Sequence, residues 1–303
     1  MKKYTLKYTA SLTTGIALII FILFSIEDYI YVLVDFGVWG VFALNLIFSL
    51  VVASILSGGI FLFAPVMNEA MANLRRMLRV ESLSNPLLLK LSSEAPGTYH
   101  HSLNVSTLAQ NAARAIGADS LLIRAAAYYH DLGKLSDPLS FIENQAGSEV
   151  PTELEADSIQ DSAKKIIAHV EDGVKMATDA HLPSNIIDLI REHHGTTRAI
   201  YFYQLAKEKG LKIKKTDFRY AGPTPRSKES AILMLSDCVE AIARSNPFLT
   251  SDDIKNIVKK TVDERTEDKQ FKQVGFSNND MRKISNSLEE TLLSIYHQRL
   301  EYK

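Results

Sequence analysis

Histidine and aspartate recur in this chain at the ends and edges of apolar helical stripes, where aliphatic side chains would be easier to bury. His101 shares a face with Val105, Leu108 and Ala112. His130 follows Ile123 and Ala126, with Asp131 next to it and Gly133 allowing the chain to turn. His169 lies on the edge of a stripe made by Ile159, Ala163, Ile166 and Val170. His193 and His194 come three and four residues after Ile190, and Leu233 leads to Asp237 and then Ala241. Any one of these alone reads as a hydrogen-bonded core histidine or a carboxylate at a helix end. Together they change the reading, because burying this many imidazoles and carboxylates in one core without a cation costs on the order of several kcal/mol per charged group. A shared metal site is the more economical expectation.

The donor chemistry narrows the metal. Imidazole and carboxylate without thiolate suit iron or manganese, and a surplus of donors beyond four argues for two divalent ions and against a single tetrahedral zinc. His101, His130, Asp131 and Asp237 are assigned to one ion, and Asp131, His169, His193 and His194 to the other, with Asp131 bridging. Two ions about 4 Å apart suit in-line displacement at phosphorus, which makes phosphoester hydrolysis the expected chemistry and places His130 and Asp131 at its centre. Lys134, one turn beyond Asp131, is a cation for the scissile phosphate or a solvent-facing helix-end lysine. Arg219 and Arg244 are further phosphate candidates, and Tyr201, Phe202 and Tyr203 are candidates to stack a base or to pack as core. His100, His181 and His297 fall off the stripes and read as ordinary histidines.

Helices must position these groups. Beyond Asn85, turn signals at "EAPGT", "GAD", "DP", "HLPS" and "YAGPTP" punctuate helical periodicity with no sustained strand alternation, so the fold class is all-α. The first seventy residues are of another kind. Between Thr9 and Val66 the only charges are Glu27, Asp28 and Asp35, and two apolar runs, 10–26 and 36–59, are each near the length of a membrane crossing. Gly58, Gly59 and Pro65 are positions at which the second span would break or tilt. Lys2, Lys3 and Lys7 before the first span and Arg75, Arg76 and Arg79 after the second put both flanks in the cytoplasm by the positive-inside rule. The expected organisation is a transmembrane region over 1–70, a linker helix over 71–90 and a cytoplasmic catalytic domain over 91–303, in a multi-pass protein of the cell membrane.

Composition bounds the remaining possibilities. With 34 basic and 35 acidic residues among 303, the net charge of −1 carries no footprint of DNA or RNA binding. One cysteine excludes an intrachain disulfide, and Cys238, next to Asp237, reads as a small buried residue. The charged run "SDDIKNIVKKTVDERTEDKQFK" reads as a solvated helix face, followed by a final helix over 279–302. Association into a homo-oligomer is left open.

The ordered set His101, His130-Asp131, His169, His193-His194 and Asp237 resembles the HD superfamily of metal-dependent phosphohydrolases. The segments "APGTYHHS", "AYYHDLGKL", "FIENQ", "EHHGTT", "YFY", "DFRYAGPTP" and "LSDCVEA" are similar to the membrane-anchored, seven-transmembrane HD type that acts as a cyclic di-AMP phosphodiesterase. The resemblance runs from about Leu56 to the end, including "IYHQRLEY". It implies two bound metals, manganese or iron, a cyclic dinucleotide substrate opened to linear pApA, and ligand roles for the same seven residues that the stripes select. Two departures accompany it. This chain begins at "MKKYTL" with two expected spans and none of the extracellular sensing domain of larger members, and "GSEVPTELEAD" after "FIENQ" lacks the histidine of the usual "NPHD". Other readings are a hydrolase of another nucleotide, a membrane receptor that binds a cyclic dinucleotide without turnover, and an assembly module.

Overall fold

The computed structural model describes residues 18–21, 37–145, 156–246 and 248–296. Among them helix follows helix, and the only strand-like feature is a single antiparallel bridge between Arg198 and Arg219. The chain divides into two units, Met1–Arg76 and Met77–Lys303.

The first unit is dominated by helix α1, Gly37–Glu81, which continues into the second. Its segment Phe42–Ala72, 31 residues at a hydropathy of 2.5, is long and apolar enough to cross a bilayer, for which about 20 residues suffice. Large apolar side chains such as Trp39, Phe61, Leu62 and Phe63 are exposed along it, the reverse of a helix from a water-soluble core. The break expected at Gly58, Gly59 and Pro65 does not occur, and the helix runs through all three. Proline removes one backbone hydrogen bond, and the unbroken turns on either side hold the course, as they do in membrane helices. The region expected as a separate linker helix is therefore the last turns of α1, a short turn, and the start of α2, Pro86–Glu94. Of the first expected span, only residues 18–21 are described, and they are helical; the rest, with the acidic connector, lies outside the described residues.

In the second unit α3, Pro96–Ile116, packs against α2, α4 (Ser120–Tyr129), α8 (Lys228–Arg244) and α10 (Asn278–Tyr296). Its stripe of Val105, Leu108, Ala109 and Ala112 is fully buried. Proline opens the helix, where its missing N–H costs nothing, and Gly117 closes it at φ 71, a left-handed cap that glycine adopts freely. Asp119 then caps α4 by accepting from the amides of Leu121 and Leu122 at 3.1 and 3.0 Å. Helix α5, Ala156–Asp179, lies against α6 (Ser184–Glu192), α7 (Ile200–Glu208) and a 3-10 turn at Leu132–Ser136. Ser227 and Ser230 form a reciprocal cap on α8, and Thr250 with Asp253 does the same for α9, Ser251–Glu267. Helix α10 begins one residue before the expected position, and residues 297–303, with His297, lie outside the described chain.

Candidate metal centre

The His-Asp pair stands where α4 ends: His130 is the C-cap residue, and Asp131 precedes the 3-10 turn. His193 occupies the equivalent place at the end of α6, with His194 after it. His101 projects from α3, His169 from α5 and Asp237 from α8. Two donor sets result. His101, His130 and Asp237 form one and His169, His193 and His194 the other; within each, the donor atoms lie within 4.8 Å of one another.

Asp131 stands between them. Its Oδ2 faces His101 Nε2 at 3.6 Å and His130 Nε2 at 3.3 Å. Its Oδ1 faces His169 Nε2 at 3.3 Å and His193 Nε2 at 4.0 Å. Asp237 Oδ1 lies 2.9 Å from His101 Nε2 and 3.6 Å from His130 Nε2, while its Oδ2 reaches His194 Nδ1 at 3.7 Å. The seven residues singled out for the two ions thus share one buried space, and only His194, 20% exposed, touches solvent appreciably. His169, expected on the edge of its stripe, is buried, with Phe141, His193, His194 and Tyr220 around its ring, and its main chain meets the turn at Gly133. A Cβ at Gly133 would stand 1.8 Å from the His169 carbonyl oxygen, so only glycine lets these two stretches of main chain meet.

Imidazole orientation follows from what holds Nδ1. In His130, His169 and His193 that nitrogen meets the carbonyl of the residue three before, Ala127 at 2.8 Å, Ile166 at 2.5 Å and Ile190 at 2.6 Å. A carbonyl only accepts, so each ring carries a proton on Nδ1 and presents Nε2 to the centre. His130 Nε2 is buried with no hydrogen-bond partner. An orphaned nitrogen amid oxygen and nitrogen donors fits a coordinated cation, and the donor set lacks the thiolates of a structural zinc site.

His101 and His130 shift in the opposite direction from His193 and His194. Burial lowers His130, yet Asp131 and Asp237 outweigh it and raise the imidazole to about 10. His101 is raised in the same way, Asp237 and Glu240 overcoming burial. Burial opposes ionisation of Asp131, but the charges of His130 and Lys134 hold its carboxyl well below the usual range, and His101 and His130 do the same for Asp237. Burial and the neighbouring imidazoles depress His193 to about 3 and push His194 well below its ordinary value. Without a cation, the centre keeps protons on one side to balance its carboxylates.

Around the donors lie groups that the stripes did not select. Lys134 is almost wholly buried, with Nζ 2.8 Å from Asp131 Oδ2 and 2.6 Å from Glu143 Oε1, so it does not face solvent as a helix-end lysine would. Glu143, from "FIENQ", also accepts from Thr98 Oγ1 at 3.3 Å, and Asn144 beside it accepts from the Thr98 amide at 3.0 Å. Arg244 reaches toward Glu143 at 4.0 Å and Glu240 at 3.7 Å, at the rim of the same cluster. Arg219 instead pairs with Asp268 at 3.1 Å and donates to the Thr196 carbonyl, which ties down the loop after His194. Tyr203 packs on Phe218 in a small second core with Arg198 over its ring, and Tyr201 is exposed on α7 beside Phe202. The aromatic stacked on a donor is Tyr220, whose ring lies 4.2 Å from that of His194. Tyr220 sits in a loop without periodicity, so the one signal for it was its place in "DFRYAGPTP". For Glu240 the signal was its spacing, three residues beyond Asp237 on the same face of α8.

A helical domain that gathers imidazoles and aspartates from separate helices around an adjacent His-Asp pair defines the HD class of metal-dependent phosphohydrolase. The HD domain family model matches residues 98–242, and the chain belongs to that family. It is 40% identical over 227 residues to cyclic-di-AMP phosphodiesterase PgpH of Bacillus subtilis (strain 168), covering 75% of this chain and 32% of that protein. The protein of the same name from Listeria monocytogenes serotype 1/2a (strain 10403S) is also 40% identical, with 31% of its length covered. The chain therefore spans about a third of the length of these curated relatives. The crystal structure of the L. monocytogenes PgpH HD domain superposes with a TM-score of 0.66 at 41% identity, covering 71% of this chain and 100% of that one. The same domain solved in complex with cyclic di-AMP gives 0.65 over 72% of this chain and 100% of that one, again at 41% identity.

Proposed function

We propose that this chain is a membrane-tethered phosphodiesterase that hydrolyses cyclic di-AMP to linear pApA using two divalent ions, manganese or iron. The observation that carries the reading is Asp131, a buried aspartate with one oxygen toward each of two donor sets. The named activity of the relatives and the cyclic di-AMP held by the similar HD domain supply the substrate.

His101, His130, Asp131 and Asp237 would hold one ion, and Asp131, His169, His193 and His194 the other. Bound divalent ions supply Lewis acidity and a nucleophile at neutral pH. The chain's own residues do the rest. The carbonyls of Ala127, Ile166 and Ile190 keep Nε2 of their histidines free to coordinate. Lys134, braced by Glu143, brings positive charge to the edge of the donor set, where a phosphodiester oxygen would develop charge. Arg244 at the rim is a second phosphate partner, and Tyr220 forms an aromatic wall next to His194. No side chain is required as nucleophile.

The membrane part of the reading rests on α1 and on the arginines near its end, which favour a cytoplasmic domain; a second span over 10–26 would make the protein multi-pass. The test is direct. The full chain in detergent, loaded with Mn(II) or Fe(II), is incubated with cyclic di-AMP, cyclic di-GMP and a guanosine alarmone, and the products are separated by chromatography. Conversion of cyclic di-AMP to pApA supports the proposal. Preferential turnover of another nucleotide favours the second hydrolase reading, and tight binding without product favours a receptor.

A further inference from the structure

Main-chain carbonyls orient three of the inward-facing imidazoles, but His101 is held differently. Its Nδ1 meets Oε2 of Glu240, a fully buried carboxylate one turn beyond Asp237 on α8. The other oxygen of Glu240 accepts from Asn104 Nδ2 at 3.0 Å and from Tyr296 Oη at 3.0 Å. Arg244 approaches Oε2 at 3.7 Å. A buried carboxylate is costly unless it is paired on all sides, and this one is. Beyond His101, its partners come from α3, α10 and α8 itself.

We propose that Glu240 is a positioning residue for the first donor set: it fixes the Nδ1–H tautomer of His101, adds negative charge behind the ring, and makes the His101, His130 and Asp237 set the tighter of the two cation sites. The inference rests on the metal reading above. The opposing set is built from imidazoles alone, with Asp131 shared between the two. Anionic donors and carboxylates behind ligating histidines strengthen a cation site. The first set has both, and Tyr296 carries the arrangement out to α10.

The test is Mn(II) binding to the full chain in detergent, measured by equilibrium dialysis and by electron paramagnetic resonance. The native chain should fill in two steps, the tighter first. Glu240→Gln keeps the side-chain volume and an acceptor for His101 but removes the charge; it should weaken the tighter step about 10- to 100-fold and leave the weaker step unchanged. Tyr296→Phe, which removes only one supporting hydrogen bond, should weaken the same step by less. If Glu240→Gln does not fold, as judged by its melting curve, Tyr296→Phe carries the same comparison. Unchanged binding in these variants, or equal weakening of both steps, would overturn the proposal while leaving the metal reading intact. A native chain that binds no Mn(II) removes the metal reading, and this inference with it.

Discussion

The two donor sets both present histidine but differ in carboxylate, and the histidines that shift do so in opposite directions. On the side of His101, His130 and Asp237, carboxylates surround the rings and raise their proton affinity, His130 to about 10. On the side of His169, His193 and His194, imidazole faces imidazole, and His193 falls to about 3. Burial lowers each of these shifted rings, so direct hydrogen bonding to carboxylates on one side, against crowding by neighbouring imidazoles on the other, decides the direction. A His-rich centre is therefore two environments: His101 and His130 hold protons, whereas His193 and His194 shed them.

The most severe way to break this comparison is to remove what the sets share. Asp131→Asn should abolish turnover and the retention of both ions, with metal analysis and the product assay run on one sample; a variant that keeps both ions would refute the bridging role. His169→Ala strikes one side and should leave one of the two ions bound, with activity lost, as counted by elemental analysis. Lys134→Gln leaves both sets intact and should slow turnover about 100-fold without changing ion content.

The proton difference gives the subtlest test. His130 is raised from 6.5 to about 10 in the metal-free protein, so its contribution to stability is fully present below pH 6.5 and is lost as pH climbs through about 10. Metal-free chain should accordingly melt at lower temperature as pH rises across that window. Coordination needs the neutral ring, so loading at pH 7 should release protons, readable by calorimetry in buffers of different ionisation heat. His193 should release none, being neutral already.

The helical fold and the convergence of these seven side chains were legible because a stripe that ends on histidine or aspartate breaks the apolar rule at a fixed spacing. What lay around the donors was harder to read. Glu240 sits on the same face of α8 as Asp237, but spacing alone does not separate a buried glutamate from a solvated one until α3 and α10 close over it. Glu143 and Tyr220 lie outside the α-helices, where no periodicity points to a partner. Tyr203 was ambiguous between base stacking and core, and Phe218, fifteen residues on, draws it into the second apolar cluster. At Pro65 a residue that breaks helices in water lies inside a long apolar one, and α1 continues through it without a break.

The contact at Gly133 has a consequence for how this domain can be altered. Peptide group presses on peptide group there, between the turn that follows His130 and Asp131 and the helix that carries His169. Spacing between these two stretches of main chain is accordingly set by chain path. Exchanging a side chain on either stretch would leave that approach in place, whereas moving the stretches apart would require the backbone to be rerouted.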